Sequence, residues 1–408
     1  MNPAGRGMAG APPLPKSLFD FGDGPLWVAH CAIGPVPRAA VRAVREHLER
    51  EARPWEISRE HHFVGLPQRV RHEGARLFGG DAGDIALVPT TSAGLSRIAA
   101  GIDWRPGDEV LLPLGEFPAN VWPWKALAPA GVSVREVPLW PGHRAGREAW
   151  ATEPPPPGCD PEQALLDAIS PATRLVSASW VRFQDGLVLD LARLGRGCAE
   201  RNVPLVADAI QGAGTLPWPG GASAAACGGH KGLLAPQGLG LLWTEPSFRA
   251  SLRPTGSWLS VEDAGDFARP VTDTERAWLE DGRRFEQGVP NLVGCAALAA
   301  SLALVNDAGP ERIAGHVRRL QRHLLGALAD LPAWRDEAQR LLALLDEGRL
   351  GSILALHHRG RGARFLEETL ERGRRLGVAA TLREGYLRIA FHGWHDEEDV
   401  ERIAAWLG

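Results

Sequence analysis

The stretch CGGHKGLLAPQGLG, residues 227–240, contains one lysine, Lys231, between a histidine and a series of glycines. Glycine is a poor helix former, so the segment is predicted to be a loop. A phosphate-binding loop of the nucleotide-hydrolase type needs Ser or Thr directly after its lysine, where the hydroxyl binds Mg²⁺. Gly232 stands there instead. The sequence therefore excludes that type of loop, and Lys231 needs another explanation.

Short, mostly apolar runs around this loop predict β-strands. They are DIALVP (84–89), DEVLLP (108–113), VSVREVP (132–138), RLVSASW (174–180), PLVADA (204–209) and GLGLLW (238–243). Apolar residues at consecutive positions are typical of strands that are covered on both faces. Helical patterns such as 92–102 and 191–202 fall between them. The alternation predicts an α/β domain with a mostly parallel sheet, whose ligand crevice opens at the carboxyl ends of the strands.

The pattern changes beyond about residue 290, where long helical runs surround the short apolar stretch GSILALH (351–357). Val317, Leu320, Leu324 and Leu328 keep a helical spacing, which predicts a smaller α+β terminal domain. The helical run 38–50 is expected to join that domain. The predicted division is a flexible tail (1–16), an N-terminal segment that joins the small domain (17–60), a large domain (61–290) and a small domain (291–408).

Composition narrows the classes of partner. The 408 residues are 44% hydrophobic and 23% charged, with a formal net charge of -4, which is ordinary for a globular protein. Scattered arginines and a slightly negative charge argue against nucleic acid as a partner. No apolar stretch is long enough to span a membrane, and the amino terminus lacks the apolar block of a signal peptide. We therefore expect a cytoplasmic protein with no membrane partner.

The five cysteines are odd in number and never spaced C-x-x-C, so we expect free thiols rather than disulfides or a zinc site. The histidine pairs at 61–62 and 357–358 are adjacent rather than four residues apart. On a helix such neighbours point in different directions, so we expect no metal site.

Three polar residues are predicted to meet in the crevice. Asp208 ends the apolar run PLVADA, Gln211 follows three residues later, and Lys231 lies in the glycine-rich loop between two strands. A buried carboxylate needs a counter-ion such as a protonated heterocyclic nitrogen, unless it only caps the turn that follows. A lysine in an apolar cleft becomes nucleophilic and condenses with aldehydes, whereas an exposed surface lysine does not.

The combined segments VADAIQGAGTLPW (206–218) and GGHKGLLAPQGLGLLW (228–243) resemble the signature of the class V aminotransferase family. These are pyridoxal 5'-phosphate (PLP) enzymes of fold-type I, and they include cysteine desulfurases, isopenicillin N epimerase-like proteins and kynureninases. The resemblance extends from about residue 26 to 408. It implies a seven-stranded large-domain sheet, a PLP cofactor and a homodimer.

The resemblance also implies roles for individual residues. Lys231 forms the Schiff base with PLP and later moves the substrate's α-proton, while Asp208 keeps the pyridine nitrogen protonated so that the ring can accept electrons. Gln211 lies near the phenolic oxygen of the ring. Phe117, in GEFPANVWPW (115–124), matches the family position that stacks a ring on the cofactor, unless it is a core aromatic.

Thr91 and Ser92 lie where a strand gives way to a helix, so their hydroxyls and the free N–H groups of the first turn suit a phosphate. Simple capping of the helix is the alternative. Desulfurases often have a serine phosphate ligand at the position of Gly228, and here His230 is expected to replace that contact. In RRFEQGVPN (283–291), Gly288 and Val289 match the segment that reaches the neighbouring subunit's phosphate.

Two features concern the substrate. Arg388, in the closing segment REGYLRIAFHGWH (383–395), matches the arginine that binds the substrate's α-carboxylate, with Arg383 as a second candidate and a structural salt bridge as the alternative. In the segment SWVRFQDG (179–186), the residue that contacts the phenolic oxygen is Arg182, Phe183 or Gln184. The 15 tryptophans suggest an aromatic or hydrophobic substrate, although core packing explains most of them.

The expected reaction begins at Cα of an amino acid or amino-acid-derived substrate, through an external aldimine and a carbanion. Desulfurases carry a persulfide-forming cysteine before the carboxylate-binding arginine, and no cysteine follows Cys295 here. We therefore expect β-elimination of the carbon–sulfur lyase type or epimerisation, with no persulfide on the protein. An aminotransferase is the alternative, and a catalytically inactive scaffold protein is the alternative outside enzymes.

Overall fold

The structure is a computed structural model that describes residues 10–146, 149, 152–266, 268–270, 272–358 and 360–408. Its strands, in chain order, are β1 (Leu26–Trp27), β2 (Ile85–Val88), β3 (Glu109–Pro113), β4 (Ser133–Val137), β5 (Thr173–Ser179), β6 (Leu205–Asp208), β7 (Ala224–Gly228), β8 (Gly240–Thr244), β9 (Ile353–Leu356), β10 (Val378–Ala379), β11 (Thr381–Arg383) and β12 (Tyr386–Ala390).

The α-helices alternate with these strands in the first half of the chain and dominate the second half. They are α1 (Arg38–Glu51), α2 (Leu66–Phe78), α3 (Thr91–Gly101), α4 (Trp122–Lys125), α5 (Pro161–Ala168), α6 (Leu191–Ala199), α7 (Pro246–Ser251), α8 (Leu292–Ala308), α9 (Pro310–Ala329), α10 (Arg335–Asp346), α11 (Gly362–Arg375) and α12 (Glu397–Leu407).

The large sheet has seven strands in the order β2-β8-β7-β6-β5-β3-β4. Strand β8 is antiparallel to both of its neighbours, and the other pairs are parallel. This confirms the predicted α/β class and the mostly parallel sheet. The apolar runs missed strand β7, because its sequence AAACG has none of the β-branched or aromatic residues that mark strands. Strand β7 is nonetheless fully buried.

Apolar side chains fill both faces of this sheet. Helix α3 covers one face, where Leu95 and Ile98 pack with Val88 and Val110 in one buried cluster. The helix begins directly after β2 because the Thr90 side chain accepts a hydrogen bond from the Ala93 N–H at 3.1 Å. The amino-terminal end of α3 is thereby fixed at the carboxyl end of β2, an edge strand of the large sheet.

The remaining strands form smaller sheets near the carboxyl terminus. Strands β11, β12 and β9 make an antiparallel sheet, and β1 pairs with β10 in parallel. An isolated bridge from Ala29 to Ala390 also joins the N-terminal segment to β12. These pairings support the predicted union of segment 17–60 with the small domain, whose boundaries stay predictions.

The predicted flexible tail, residues 1–16, extends too far at its carboxyl end. Residues 1–9 lie outside the described residues, but Leu14 is fully buried and its N–H donates to the Gly393 carbonyl at 3.0 Å. Lys16 forms an ion pair with Asp399 at 2.9 Å. An apolar side chain and an ion pair therefore fix the chain from Leu14 onward.

No single helix in the described part of the chain is long and apolar enough to cross a membrane. Helices α8 and α9 meet that criterion only as a pair, and the pair is bent by 69°.

Candidate active site

A cavity of about 310 Å³ brings the predicted site residues together at the carboxyl ends of β6 and β7. It contains all eight of them: Thr91, Ser92, Phe117, Asp208, Gln211, His230, Lys231 and Arg388. The other residues that line it are Cys31, Ala32, Thr90, Ala119, Phe183, Ile210 and Arg383.

The loop that carries Lys231 is fixed by contacts from both ends of the chain. The Gly34 N–H donates to the His230 carbonyl at 2.8 Å, and His392 Nε2 donates to the Gly232 carbonyl at 3.0 Å. The other nitrogen of that imidazole, Nδ1, accepts from a backbone N–H, which fixes the tautomer. A Cβ at Gly232 would lie 2.3 Å from the Ala213 carbonyl oxygen, so only glycine fits directly after the lysine.

Lys231 is 9% exposed, and within the described residues its amine has neither a hydrogen bond nor an ion pair. Burial lowers the pKa of Lys231, although the charges of Asp208 and Cys31 oppose that shift. The amine lies 5.6 Å from the centroid of the Phe117 ring. A buried, unpartnered amine with a lowered pKa is a good nucleophile, so the alternative of an exposed surface lysine is wrong.

Asp208, at the end of β6, is 2% exposed. Its Oδ1 accepts from the Ile210 N–H at 3.0 Å, which is the turn cap considered above, whereas Oδ2 has no hydrogen bond to the described residues. Burial raises the pKa of Asp208 to about 7, and nearby Glu116 adds to this shift while Lys231 opposes it. Burial therefore outweighs the attraction between Asp208 and Lys231 and favours the neutral form of each. A cationic partner at Oδ2 would restore the carboxylate.

The amino-terminal end of α3 forms one end of the cavity. Thr90 rather than Thr91 or Ser92 caps the helix. The Thr91 hydroxyl accepts from the Gly228 N–H at 2.9 Å, and the position of a Cβ on Gly228 lies 3.1 Å from His230 Nδ1. The expected phosphate ligands Thr91, Ser92 and His230 are thus next to the free N–H groups of a helix start.

Phe117 is 42% exposed although it lines the cavity, so the alternative of a core aromatic is wrong. Its ring meets Phe183 edge to face, with the centroids 5.1 Å apart. Of the three candidates for the phenolic-oxygen contact, only Phe183 lines this cavity. Arg182 forms an ion pair with Asp185 at 3.0 Å and donates to Gln184 Oε1 at 2.9 Å.

Arg388, on β12, is 3% exposed and forms no ion pair within the described part of the chain, so the salt-bridge alternative is wrong. Its Nε donates to Thr381 Oγ1 at 3.0 Å, and its Nη1 donates to the Phe183 carbonyl at 2.6 Å. Burial lowers the pKa of Arg388, and the charge of Arg383 adds to the shift. An anionic ligand is the partner that this guanidinium lacks.

Gly288 and Val289 do not line this cavity. The Gly288 N–H donates to Ser257 Oγ at 2.8 Å, at a backbone φ of 72° that favours glycine. Val289 is half exposed.

These residues fit PLP. An unpartnered amine, a carboxylate oxygen without a hydrogen bond, an open aromatic face and a helix amino terminus surround one cavity. When bound, PLP supplies an electron sink at the substrate's Cα. The fit rests on Lys231, Asp208, Phe117 and the first turn of α3.

A larger cavity of about 620 Å³ lies elsewhere, between α1, α2 and α8, and contains His47, His61, His62 and His72. It has none of the features just described, so volume alone does not identify the site. No group of three or more His, Cys, Asp or Glu residues in the described chain is arranged to hold a metal ion.

The fold and this site define a PLP-dependent enzyme of fold-type I. Residues 35–403 match the aminotransferase class-V family, and the chain belongs to that family. The family, the enzyme class and the PLP cofactor expected from the sequence are thereby confirmed.

Relatives and solved structures agree with this assignment. The chain is 26% identical to a probable cysteine desulfurase of Methanothermobacter thermautotrophicus, covering 83% of this chain and 82% of the relative. It is 29% identical to isopenicillin N epimerase of Streptomyces clavuligerus, with 91% of each covered. The structure of C-DES with glycine linked covalently to PLP superposes with a TM-score of 0.80 at 23% identity, covering 96% of this chain and 98% of C-DES.

Sequence reasoning missed the residues that reach the cavity from distant segments. Cys31 enters from the turn after β1, and Ile210 and Ala119 complete the apolar wall. Thr90 was overlooked because it precedes two hydroxyl residues that fit the family segment equally well. No local signal in the sequence places Cys31 beside Arg388.

Proposed function

We propose that this protein is a PLP-dependent enzyme that acts at Cα of an amino acid or amino-acid-derived substrate with a free α-carboxylate. The observation that carries the proposal is one cavity in which Asp208 lies with two buried groups: the Lys231 amine, which has no hydrogen bond or ion pair to the described residues, and the Arg388 guanidinium, which has no ion pair to them. A polar or charged group that is buried without its partner costs free energy, so a ligand that binds to both groups is expected.

Each residue then has a defined task. The Arg388 Nη2 group, which has no hydrogen bond to the described residues, orients the α-carboxylate, and the Lys231 amine takes the proton from Cα. Asp208 Oδ2 pairs with the cofactor's ring nitrogen, and Phe117 covers one face of the ring. Gln211 lies near the ring's phenolic oxygen. Thr91, Ser92 and His230 hold the phosphate with the first turn of α3.

Lysine content makes the assignment of Lys231 specific. The chain has three lysines, and the other two are paired: Lys16 with Asp396 at 2.7 Å and Lys125 with Glu136 at 3.2 Å. Lys125 is exposed at the surface, so it provides a matched control variant.

For the reaction, β-elimination of the carbon–sulfur lyase type or epimerisation ranks ahead of transamination. Relatives of this chain are called cysteine desulfurase and isopenicillin N epimerase, and a structural neighbour is described as a cystine C–S lyase. Because no cysteine follows Cys295, sulfur transfer to a protein loop before Arg388 is not part of the proposal.

We further propose a cytoplasmic homodimer in which Gly288 and Val289 reach the partner's phosphate site. The half-exposed apolar Val289, which lies outside its own cavity, supports this contact.

The first test uses the purified protein. We expect a visible absorption band from bound PLP, and borohydride reduction followed by peptide mapping should place the cofactor on Lys231. The band should be absent in Lys231→Ala and present in Lys125→Ala. A colourless wild-type protein that binds no PLP would refute the proposal.

The second test identifies the reaction by its products in deuterated water. Keto acid with ammonia or thiol indicates elimination, deuterium at Cα of the inverted amino acid indicates epimerisation, and cofactor left as the amine indicates transamination. We expect no persulfide on the protein after incubation with cysteine.

A further inference from the structure

Segment 116–120, between β3 and α4, carries Phe117 and Ala119 to the wall of the cavity. The Phe117 ring is 42% exposed and meets Phe183 edge to face, with the centroids 5.1 Å apart. A half-exposed ring has fewer packed neighbours to hold it than a core ring has. The position of Phe117 therefore depends on how the backbone of this segment is fixed.

Glu116, directly before Phe117, fixes the first end of the segment to strand β5. Its side chain is buried and has no ion pair to the described residues. Oε1 accepts a hydrogen bond from the Ser179 N–H at 2.9 Å, and Oε2 accepts from the Ser179 hydroxyl and from Asn120 Nδ2. Burial raises the pKa of Glu116, although these hydrogen bonds and the charge of Arg182 oppose that shift. Three donors therefore hold this carboxyl group at the end of β5.

Asn120, three residues after Phe117, fixes the second end of the segment. It is fully buried, and its Oδ1 accepts from the Ser177 hydroxyl at 2.6 Å and from Trp124 Nε1 at 3.2 Å. Its N–H donates to the Phe117 carbonyl at 2.8 Å. Phe117 therefore lies between two buried polar residues, and both are bound to β5.

Strand β5 pairs with β6, which ends at Asp208. Ser179 is opposite Asp208 in the parallel ladder, and the Trp180 N–H donates to the Asp208 carbonyl at 2.9 Å. Burial raises the pKa of Asp208, and the charge of Glu116 adds to that shift. The residue that binds Glu116 is therefore next to the carboxylate expected to pair with the cofactor's ring nitrogen.

We propose that Glu116 is a positioning residue that holds the Phe117 ring over the cofactor at a fixed place relative to Asp208, which rests on the proposed function. Glu116 and Asn120 attach both ends of the segment to β5, so the backbone at Phe117 has little freedom to turn. A ring that is already in place loses little conformational entropy when the cofactor binds. The network should therefore increase the affinity for PLP through Phe117.

Glu116→Gln tests this proposal with little change in size. It replaces an acceptor oxygen by an NH2 donor, which faces the donors of Ser179 or Asn120 instead of binding them. The matched control is Glu162, a fully buried carboxylate that forms an ion pair with Arg349 at 2.7 Å and does not line the cavity. Glu162→Gln makes the same change of atoms away from the cavity.

The first experiment titrates the cofactor-free variants with PLP and follows the visible absorption band and its circular dichroism. We expect Glu116→Gln to weaken PLP binding at least about tenfold, as Phe117→Ala should, and to reduce the circular dichroism because the ring is less fixed. Glu162→Gln should bind PLP within about twofold of wild type, although it also loses stability in denaturant. Wild-type affinity in Glu116→Gln, or an equal loss of affinity in Glu162→Gln, would overturn the proposal.

The second experiment asks whether Glu116 acts through Phe117. If it does, the double variant Glu116→Gln/Phe117→Ala should bind PLP no more than about twofold more weakly than Phe117→Ala alone. Independent effects would multiply, and that result would contradict a positioning role. A wild-type protein that binds no PLP would refute the proposed function itself, and this proposal with it.

A milder variant gives the same test if Glu116→Gln does not fold. Ser179→Ala removes one donor to Glu116 and keeps the carboxyl group. It should weaken PLP binding about threefold to tenfold, and not at all when Phe117→Ala is already present. Unchanged affinity in Ser179→Ala, or the same loss in both backgrounds, is the result that this proposal does not survive.

Discussion

Two buried arginines next to Phe183 show how differently the same side chain is used: Arg182 precedes it in the chain, and Arg388 donates to its carbonyl. Arg182 donates to Asp185, the Leu114 carbonyl and Gln184, and its Nη2 lies 3.2 Å from His143. Arg388 donates to one hydroxyl and one carbonyl and has no carboxylate partner in the described chain.

The difference appears in the pKa values of the two groups. Burial acts to lower both, but the charges of Asp185 and Glu116 raise the pKa of Arg182, whereas the pKa of Arg388 stays lowered. Burial alone therefore does not identify a functional residue. A buried charge whose partners are complete stabilises the fold, and one whose partners are missing indicates where a ligand binds.

The largest effect on stability is expected at the fully partnered arginine. Arg182→Met leaves Asp185 buried without its cation, so the free energy of unfolding should fall by about 3–5 kcal/mol. Denaturant unfolding of the cofactor-free protein measures this. Arg388→Met should lower the same quantity by less, about 1–3 kcal/mol, because the Phe183 carbonyl loses its donor but no buried carboxylate loses its cation. Equal losses of unfolding free energy in the two variants would contradict the distinction between a structural Arg182 and a ligand-binding Arg388.

The next largest effect is expected on kcat/KM, when Arg388 is replaced. Arg388→Met removes charge-assisted hydrogen bonds worth about 1.5–3 kcal/mol, so kcat/KM should fall by about 10- to 150-fold. The visible absorption of bound PLP should be unchanged. Arg383→Met, at the exposed second arginine of the cavity, should have a smaller effect. A larger loss for Arg383→Met would exchange the roles of the two arginines.

The smallest effect concerns the contact that holds the lysine loop. His392→Leu leaves the Gly232 carbonyl without its donor and should cost about 1–3 kcal/mol of stability, while His392→Gln keeps a donor and should cost less. Similar losses in the two variants would show that imidazole packing, not the hydrogen bond, matters.

The same histidine predicts a pH dependence. Burial lowers the pKa of His392 to about 3. Between pH 6.5 and 3 this histidine binds a proton in the unfolded chain but not in the folded chain, so it should contribute about 1.4 kcal/mol per pH unit to a loss of stability as pH falls. Denaturant unfolding across this range should show a shallower slope for His392→Gln. An unchanged slope would assign the dependence to other groups.

The large sheet and most of the candidate site could be predicted from the sequence, because both leave recognisable patterns of residues. Parallel strands buried on both faces give apolar runs, and Asp208, Lys231 and Arg388 lie in segments that resemble family motifs. Strand β7 was not predicted, because alanine and glycine have little preference for strands. The place of Cys31 in the cavity was not predicted, because it depends on the pairing of β1 with β10, a contact between residues about 350 positions apart in the sequence.

The contacts that fix the Lys231 loop have a consequence for biosynthesis. Gly34 and His392 lie near opposite ends of the chain, and both bind the backbone beside the lysine. While the polypeptide is still on the ribosome, the loop lacks this support until His392 has emerged. We therefore expect nascent chains that stop before His392 to fail to capture the cofactor, even though every residue of the large sheet is already present.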